Sequence, residues 1–195
     1  VKKGRFIVLE GIDGSGTTTH SNKLADYLKS KNYEVIVTQE PSEGPIGKTI
    51  RDYLFHGWGS PAVHALLFAA DRVEHTEKVI KPLLERGVIV ISDRYIESSI
   101  VYQTAEGLDT YWIEEINKFI VEPDLTIYLD VDPEVALDRK KSVRDMFERV
   151  EFLKKVRRIY LERAKNKDYP IMNTDRPIEV VHEEIVRCVE SYLSR

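Results

Sequence analysis

The sequence predicts an α/β fold in three layers, with a five-stranded parallel sheet covered by helices on both faces. Three observations carry this expectation. Apolar, β-branched runs recur without polar alternation, at Phe6-Ile7-Val8-Leu9, Val88-Ile89-Val90-Ile91 and Leu125-Thr126-Ile127-Tyr128-Leu129. Such runs mark strands buried on both faces. Segments of helical period separate them, and strand–helix alternation implies right-handed crossovers over a parallel sheet. Finally, the first run feeds the turn Gly11-Ile12-Asp13-Gly14-Ser15-Gly16-Thr17-Thr18-Thr19, which opens a helix.

The elements follow in order. Residues 6–10 read as the first strand, and a helix over about 18–31 turns Leu24, Ala25 and Leu28 inward. The second strand, 33–38, ends in Gln39-Glu40-Pro41-Ser42-Glu43-Gly44-Pro45, a loop by its prolines and glycine. A helix is expected over 46–55. Ser60 is suited to cap the next one, with Pro61 at its first position, and this long helix runs to about Arg86 with Gly87 as its C-terminal cap. The third strand, 88–92, leads to Asp93-Arg94, followed by helices around 97–103 and 109–121. The fourth strand covers 125–130. Pro133 starts a short helix that runs into the charged stretch Arg139 to Arg149, and another helix spans roughly 147–166. A short strand at 170–173 and a helix over 178–193 close the chain, read as a single domain over 1–195 with a basic lid near 139–149.

Composition narrows the function. The chain has 42% hydrophobic and 32% charged residues and a net charge of −4, which does not suggest nucleic-acid binding. No apolar stretch approaches a membrane span and no signal-peptide pattern opens the sequence. The single cysteine, Cys188, excludes an internal disulfide and suits the cytoplasm. It lies on a helical apolar stripe and reads as core.

The glycine-rich turn has the strand–loop–helix setting of a phosphate-binding loop. Its backbone N–H groups and the helix N-terminus form an anion cradle. The spacing matches G-x-x-x-x-G-K-[ST] except that Thr17 stands where lysine is expected. Thr18 occupies the position whose hydroxyl meets Mg²⁺. Asp93, ending a buried strand, suits the same metal; a salt bridge to a neighbour is its ordinary alternative. Arg51, Arg72 and Arg94 lie along the expected carboxyl rim. Phe68 and Arg72 share one helix face and together can stack on and hydrogen-bond a base, although such a pair in isolation more often means a core phenylalanine and a solvent-facing arginine. The run Arg139-Lys140-Lys141-Ser142-Val143-Arg144 is either a solvated face or a lid that closes over phosphates.

Together these residues resemble the thymidylate kinase family, within the nucleoside monophosphate kinase group of P-loop proteins. The resemblance covers nearly the whole chain. It rests on Phe6-Ile7-Val8-Leu9-Glu10-Gly11-Ile12-Asp13-Gly14-Ser15-Gly16, on Leu67-Phe68-Ala69-Ala70-Asp71-Arg72, and above all on Asp93-Arg94-Tyr95-x-x-Ser98-x-x-x-Tyr102-Gln103. It implies a P-loop NTPase fold and transfer of the γ-phosphoryl group from ATP to dTMP with Mg²⁺. It also implies residue roles. Gly11, Ile12, Asp13, Gly14, Ser15, Gly16, Thr17 and Thr18 would hold the donor phosphates, and Thr18 and Asp93 the metal. Asp13 would also contact the sugar 3′-hydroxyl and phosphate region of dTMP. Phe68 would stack on thymine, Arg72 donate to its O4, Arg94 bind the dTMP phosphate, Tyr102 crowd the sugar 2′ position, and Gln103 lie near the base. Glu40-Pro41, Arg51 and Ser98 would complete the acceptor pocket. Arg139 and Arg144 would supply catalytic charge from the lid, residues 173–177 would hold adenine, and the chain would act as a cytoplasmic homodimer. Two other readings remain: a related deoxynucleotide kinase with broader substrate range, and a nucleotide-binding module whose catalysis is weakened by Thr17.

Overall fold

The computed structural model describes residues 4–140 and 146–194. Residues 141–145 of the expected lid, Arg144 among them, lie outside the described residues. In chain order the elements are β1 (Arg5–Gly11), α1 (Thr17–Ser30), β2 (Val35–Gln39), α2 (Pro45–His56), α3 (Pro61–His75), a π-helical turn (Thr76–Ile80), α4 (Lys81–Glu85), β3 (Ile89–Asp93), α5 (Ile96–Ala105), α6 (Thr110–Ile116), β4 (Leu125–Asp130), α7 (Pro133–Lys140), α8 (Met146–Asn166), β5 (Ile171–Asn173) and α9 (Ile178–Leu193).

The five strands form one sheet in the order β2-β3-β1-β4-β5, all paired in parallel. β1 shows why strands of continuous apolar sequence serve such a sheet. Ile7 and Leu9 join the core beneath α1 and α9, with Leu24, Leu28, Val181 and Ile185. Phe6 and Val8 point the other way, onto Ile80, Val90 and Tyr95. Both faces are thus apolar and both are covered. A third cluster around Ile12, Tyr128, Val156 and Tyr160 seats α8 beside the carboxyl end of the sheet. From β1 the chain runs to β2 at one edge, returns to β3 beside β1, and then crosses to β4 on the other side of β1. The crevice where ligands bind in such sheets therefore opens at the end of β1, at the phosphate loop.

Two departures from the expected elements have local causes. The long helix is continuous in path but changes to π geometry at Thr76–Ile80. Pro82 lies two residues beyond it, and without an N–H it cannot continue the α ladder. The helix expected over 109–121 ends at Ile116, because the Asn117 side chain bonds back to the Ile113 carbonyl (2.7 Å) and turns the chain. Ser60 caps α3 by accepting from the Val63 N–H, and Gly87 takes a positive φ of 84° after α4, both as expected.

Gly47 marks the tightest approach of α2 to the loop after β2. A Cβ there would lie 2.0 Å from the Ser42 carbonyl oxygen. Gly47→Ala should therefore destabilise the fold by about 1–3 kcal/mol through overpacking against backbone. Urea denaturation checks this, and an unchanged midpoint would show that the loop yields freely.

Candidate functional site: a phosphate loop between two clefts

The turn after β1 folds as a cradle. Gly14 and Gly16 adopt φ of 87° and 92°, conformations that a side chain disfavours. A Cβ on Gly14 would also meet the Ala136 carbonyl oxygen at 2.4 Å, so α7 packs directly on the loop. The Ser15 N–H closes a turn on the Ile12 carbonyl (3.0 Å), and α1 begins at Thr17. Thr17 is 6% exposed and offers a hydroxyl in place of a flexible cation. The Thr18 hydroxyl donates to the Asp93 carboxylate, which places two hard oxygen ligands side by side. Among the described residues no group of three or more His, Cys, Asp or Glu could enclose a metal unaided. A Mg²⁺ held by one or two protein oxygens plus phosphates and water needs no such cage. The donor set fits that ion, and Asp93 shows no salt bridge among the described residues.

A cleft of about 750 Å³ lies over this loop, bounded by Arg139, Thr174, Arg176 and Pro177 on the far side and by Glu40, Pro41 and Arg94 on the near side. Arg139, in the last turn of α7, donates to the carbonyls of Gly14 (3.1 Å) and Thr174 (2.7 Å). It thus ties the phosphate loop to the segment expected to hold adenine. His20 also lines this cleft; burial holds its imidazole down to about pKa 4, so it is neutral near pH 7.

A second cavity, of about 370 Å³, meets the first at Asp13, Glu40, Pro41 and Arg94. It contains Phe68, Arg72, Ser98, Tyr102 and Gln103, which the sequence places in two separate stretches. The Arg94 guanidinium donates to the Asp13 carboxylate (2.6 Å) and lies over the Tyr102 ring, 5.6 Å from its centroid. Burial opposes its charge, but Tyr102 and Asp13 outweigh this and raise its pKa. The Tyr102 hydroxyl accepts the Asp13 backbone N–H (3.2 Å), joining this second cavity to the phosphate loop. The Gln103 Oε1 is buried with no hydrogen-bond partner among the described residues. Arg51 sits at the rim, donating to the Pro41 carbonyl (3.0 Å) and pairing with Glu43 at 3.4 Å.

The Phe68–Arg72 pair reverses the ordinary expectation for such a spacing. Phe68 is partly open to the cavity, whereas Arg72 is 1% exposed. Its guanidinium donates to Glu40 (2.7 Å), Asn117 (2.6 Å), the Tyr95 carbonyl (3.3 Å) and Ser99 (2.8 Å). Among the described residues one of its five N–H donors remains for the pocket. Glu40 is correspondingly occupied: one oxygen takes Arg72 and the other faces His75 at 3.1 Å. It holds the wall of the pocket. Asp71, one residue before Arg72, accepts both the Ser42 N–H (2.7 Å) and hydroxyl (2.5 Å). Asp71, His75, Asn117 and Ser99 were not singled out from sequence. The signal available was Asp71-Arg72-x-x-His75, which follows the apolar run from Ala65 to Ala70 on α3.

Comparison with known proteins shows the family. The family model described as thymidylate kinase matches residues 9–185. The chain belongs to the thymidylate kinase family. It is 47% identical over 188 residues to a probable thymidylate kinase of Pyrobaculum calidifontis, covering 95% of each chain. It is 42% identical over 201 residues to a probable thymidylate kinase of Thermococcus kodakarensis, covering 96% of this chain and 98% of that one. The α/β architecture expected from sequence is the one observed, with the expected parallel sheet of five strands.

Arg72→Ala would leave the 2%-exposed Glu40 side chain without its arginine. Removing one partner of a buried pair costs about 3–5 kcal/mol. The substitution should therefore lower thermal and urea stability by that order even without nucleotide. Retention of parental stability, measured by circular dichroism melts, would show that the cluster relaxes around the loss.

Proposed function

We propose that this thymidylate kinase family member transfers the γ-phosphoryl group of ATP to dTMP, giving ADP and dTDP. The observation that carries this reading is the meeting of two clefts at Asp13 and Arg94. A donor bound over the phosphate loop and an acceptor bound against Phe68 would bring their phosphates together at that junction. Phosphoryl transfer asks mainly for alignment and charge, and this junction supplies both.

In this mechanism the loop backbone and the N-terminus of α1 hold the donor phosphates. Thr18 and Asp93 would hold Mg²⁺, which offsets phosphate charge when bound. The Arg94 guanidinium, oriented by Asp13, receives the acceptor phosphate. One acceptor phosphate oxygen attacks the γ-phosphorus as the bond to the β-phosphate oxygen breaks, and ADP departs. Phe68 stacks on the base, the remaining Arg72 donor and the Gln103 side chain, whose Oε1 has no partner among the described residues, read its edge, and Tyr102 closes the 2′ side of the sugar. Glu40, Pro41, Arg51 and Ser98 shape the pocket wall, and Arg139, with Arg144 from the undescribed segment, brings charge to the donor side. The reading includes a homodimer in the cytoplasm. Support for the dimer comes from exposed apolar residues of α3 and its neighbourhood, Leu54, Phe55, Trp58, Val63 and Leu66. No described helix is long and apolar enough to cross a membrane.

A coupled ADP-release assay with dTMP, dUMP, dGMP and dAMP tests the function. The expected result is the highest kcat/KM for dTMP; an equal or greater value with a purine nucleotide would refute the acceptor assignment.

Thr17 generates a separate expectation. Its hydroxyl is a weaker partner for phosphate charge than an ammonium, while the backbone cradle is unaffected. Thr17→Lys should raise kcat about ten- to a hundred-fold, on the order of 1.4–3 kcal/mol. An unchanged or reduced kcat with an intact fold would mean that a cation such as Arg139 already serves the position.

A further inference from the structure

Glu10 is a carboxylate inside a buried strand, and the mechanism above does not use it. It stands one residue before the phosphate loop and is 1% exposed. Its Oε1 accepts from the backbone N–H of Tyr95 (2.9 Å) and of Ser98 (3.3 Å). Its Oε2 accepts from the Ser98 hydroxyl (2.6 Å) and the Tyr160 hydroxyl (3.0 Å). Tyr95 immediately precedes α5 and Ser98 lies in its first turn, so the carboxylate takes orphan donors at the positive end of that helix.

What this holds in place is the turn at Arg94. Arg94 has φ of 69°, a left-handed conformation that a long side chain rarely adopts and that persists only where its surroundings enforce it. Its own N–H is taken by the Leu9 carbonyl (3.0 Å), and the next N–H, of Tyr95, by Glu10. Two consecutive residues of β1 thus pin both sides of Arg94. The same carboxylate sets the start of α5, which carries Ser98, Tyr102 and Gln103 into the acceptor pocket.

We propose that Glu10 is a positioning residue for the acceptor site: its ionised carboxylate locks the left-handed turn at Arg94 and the first turn of α5, and so sets the guanidinium that receives the acceptor phosphate. This rests on the assignment of Arg94 to that phosphate. The groups facing Glu10 are Arg94, Tyr95, Glu97 and Ser98 from the β3–α5 side and Tyr160 from α8. Tyr160 is stacked on Tyr128, the β4 neighbour of Glu10. Arg163 of α8 faces Glu97, which it pairs at 2.5 Å. Burial pushes the Glu10 carboxyl up to about 7; the Ser98 hydrogen bond pulls it back, Glu97 raises it, and Arg94 and Tyr160 lower it. Protonation weakens the lock, because the Tyr95 and Ser98 N–H groups can only donate.

The lock has a signature that a merely structural residue lacks. Since its folded pKa is raised, the stability that Glu10 contributes is full below its ordinary value of about 4.5 and is lost as pH rises through about 7. Acceptor binding should move oppositely, strengthening as the carboxylate ionises over that range. Calorimetric binding of dTMP and of ATP to the full chain, between about pH 5.5 and 8.5, tests this with the parent, Glu10→Gln and Tyr160→Phe. At about pH 8, Glu10→Gln should weaken dTMP binding about ten-fold and alter ATP binding less than about two-fold. The parent's advantage should shrink as pH falls through about 7, while its thermal stability relative to Glu10→Gln rises. Ionisation of the dTMP phosphate is common to both proteins and cancels in their ratio. Tyr160→Phe removes a donor to the ionised form and should move the midpoint upward, a readout that stands if Glu10→Gln fails to fold. A ratio independent of pH, or a midpoint unmoved by Tyr160→Phe, would overturn the proposal. A parent that binds dTMP without phosphorylating it would instead refute the kinase reading, and the binding comparison would still decide the role of Glu10.

Discussion

The buried Glu40 carboxylate, held between Arg72 and His75, is the constraint on which the acceptor side depends. It joins the end of β2 to the middle of α3 in a region with little access to water. A carboxylate there is tolerable only with good partners, and its partners are fixed in turn: Arg72 by Asn117, Ser99 and the Tyr95 carbonyl, and His75 by the Thr38 hydroxyl at 2.6 Å. The result is a closed polar network inside an apolar shell. Such networks add little net stability over apolar packing, but they discriminate sharply against alternative arrangements. Here the arrangement selected is the wall shared by the two clefts.

The same logic recurs on the other side of the junction. Glu10, Ser98 and Tyr160 form a second buried network, which joins β1, α5 and α8 beneath Arg94. Above them, Arg157 grips Asp130 through two nitrogens and Arg163 grips Glu97 likewise, so α8 is seated by a turn-by-turn series of charged contacts. These grips anchor α8, the helix on the far side of the undescribed segment. Arg139 anchors the near side by bridging the carbonyls of Gly14 and Thr174. The phosphate loop is therefore embedded in contacts from both flanking helices, with Gly14 pressed against α7. A loop so fixed keeps its N–H groups preorganised for phosphate even though Thr17 contributes no charge.

Several cations around the clefts are paired with carboxylates. Arg94 is paired with Asp13, Arg51 with Glu43, and Arg176 with Glu184. The contacts of Arg139 among the described residues are neutral carbonyls. Anionic substrates would meet cations whose positions are set by these pairs, and alignment rather than net positive potential does the work. That accords with a chain whose net charge is −4 and whose substrates are nonetheless anions.

The sequence by itself determined the elements, the sheet's parallel character and the phosphate loop. These depend on local spacing: apolar runs for buried strands, glycines for positive φ, and Ser60-Pro61 for a helix start. It also placed the phosphate loop, Glu40-Pro41 and Asp93-Arg94 on one rim, because strand ends in a parallel sheet share a side. What only the tertiary structure decided is which of those side chains face the cavity and which support them. Four-residue spacing puts Phe68 and Arg72 on one face of α3 but does not tell whether that face meets water, a ligand or another carboxylate. Arg72 is buried because Glu40, Asn117, Ser99 and the Tyr95 carbonyl converge on it from three segments distant in sequence. Glu10 was read as part of a strand, and its donors come from residues 85, 88 and 150 positions away. The partners of a buried polar group are long-range by nature, since the apolar shell that makes them necessary exists only once the chain has folded.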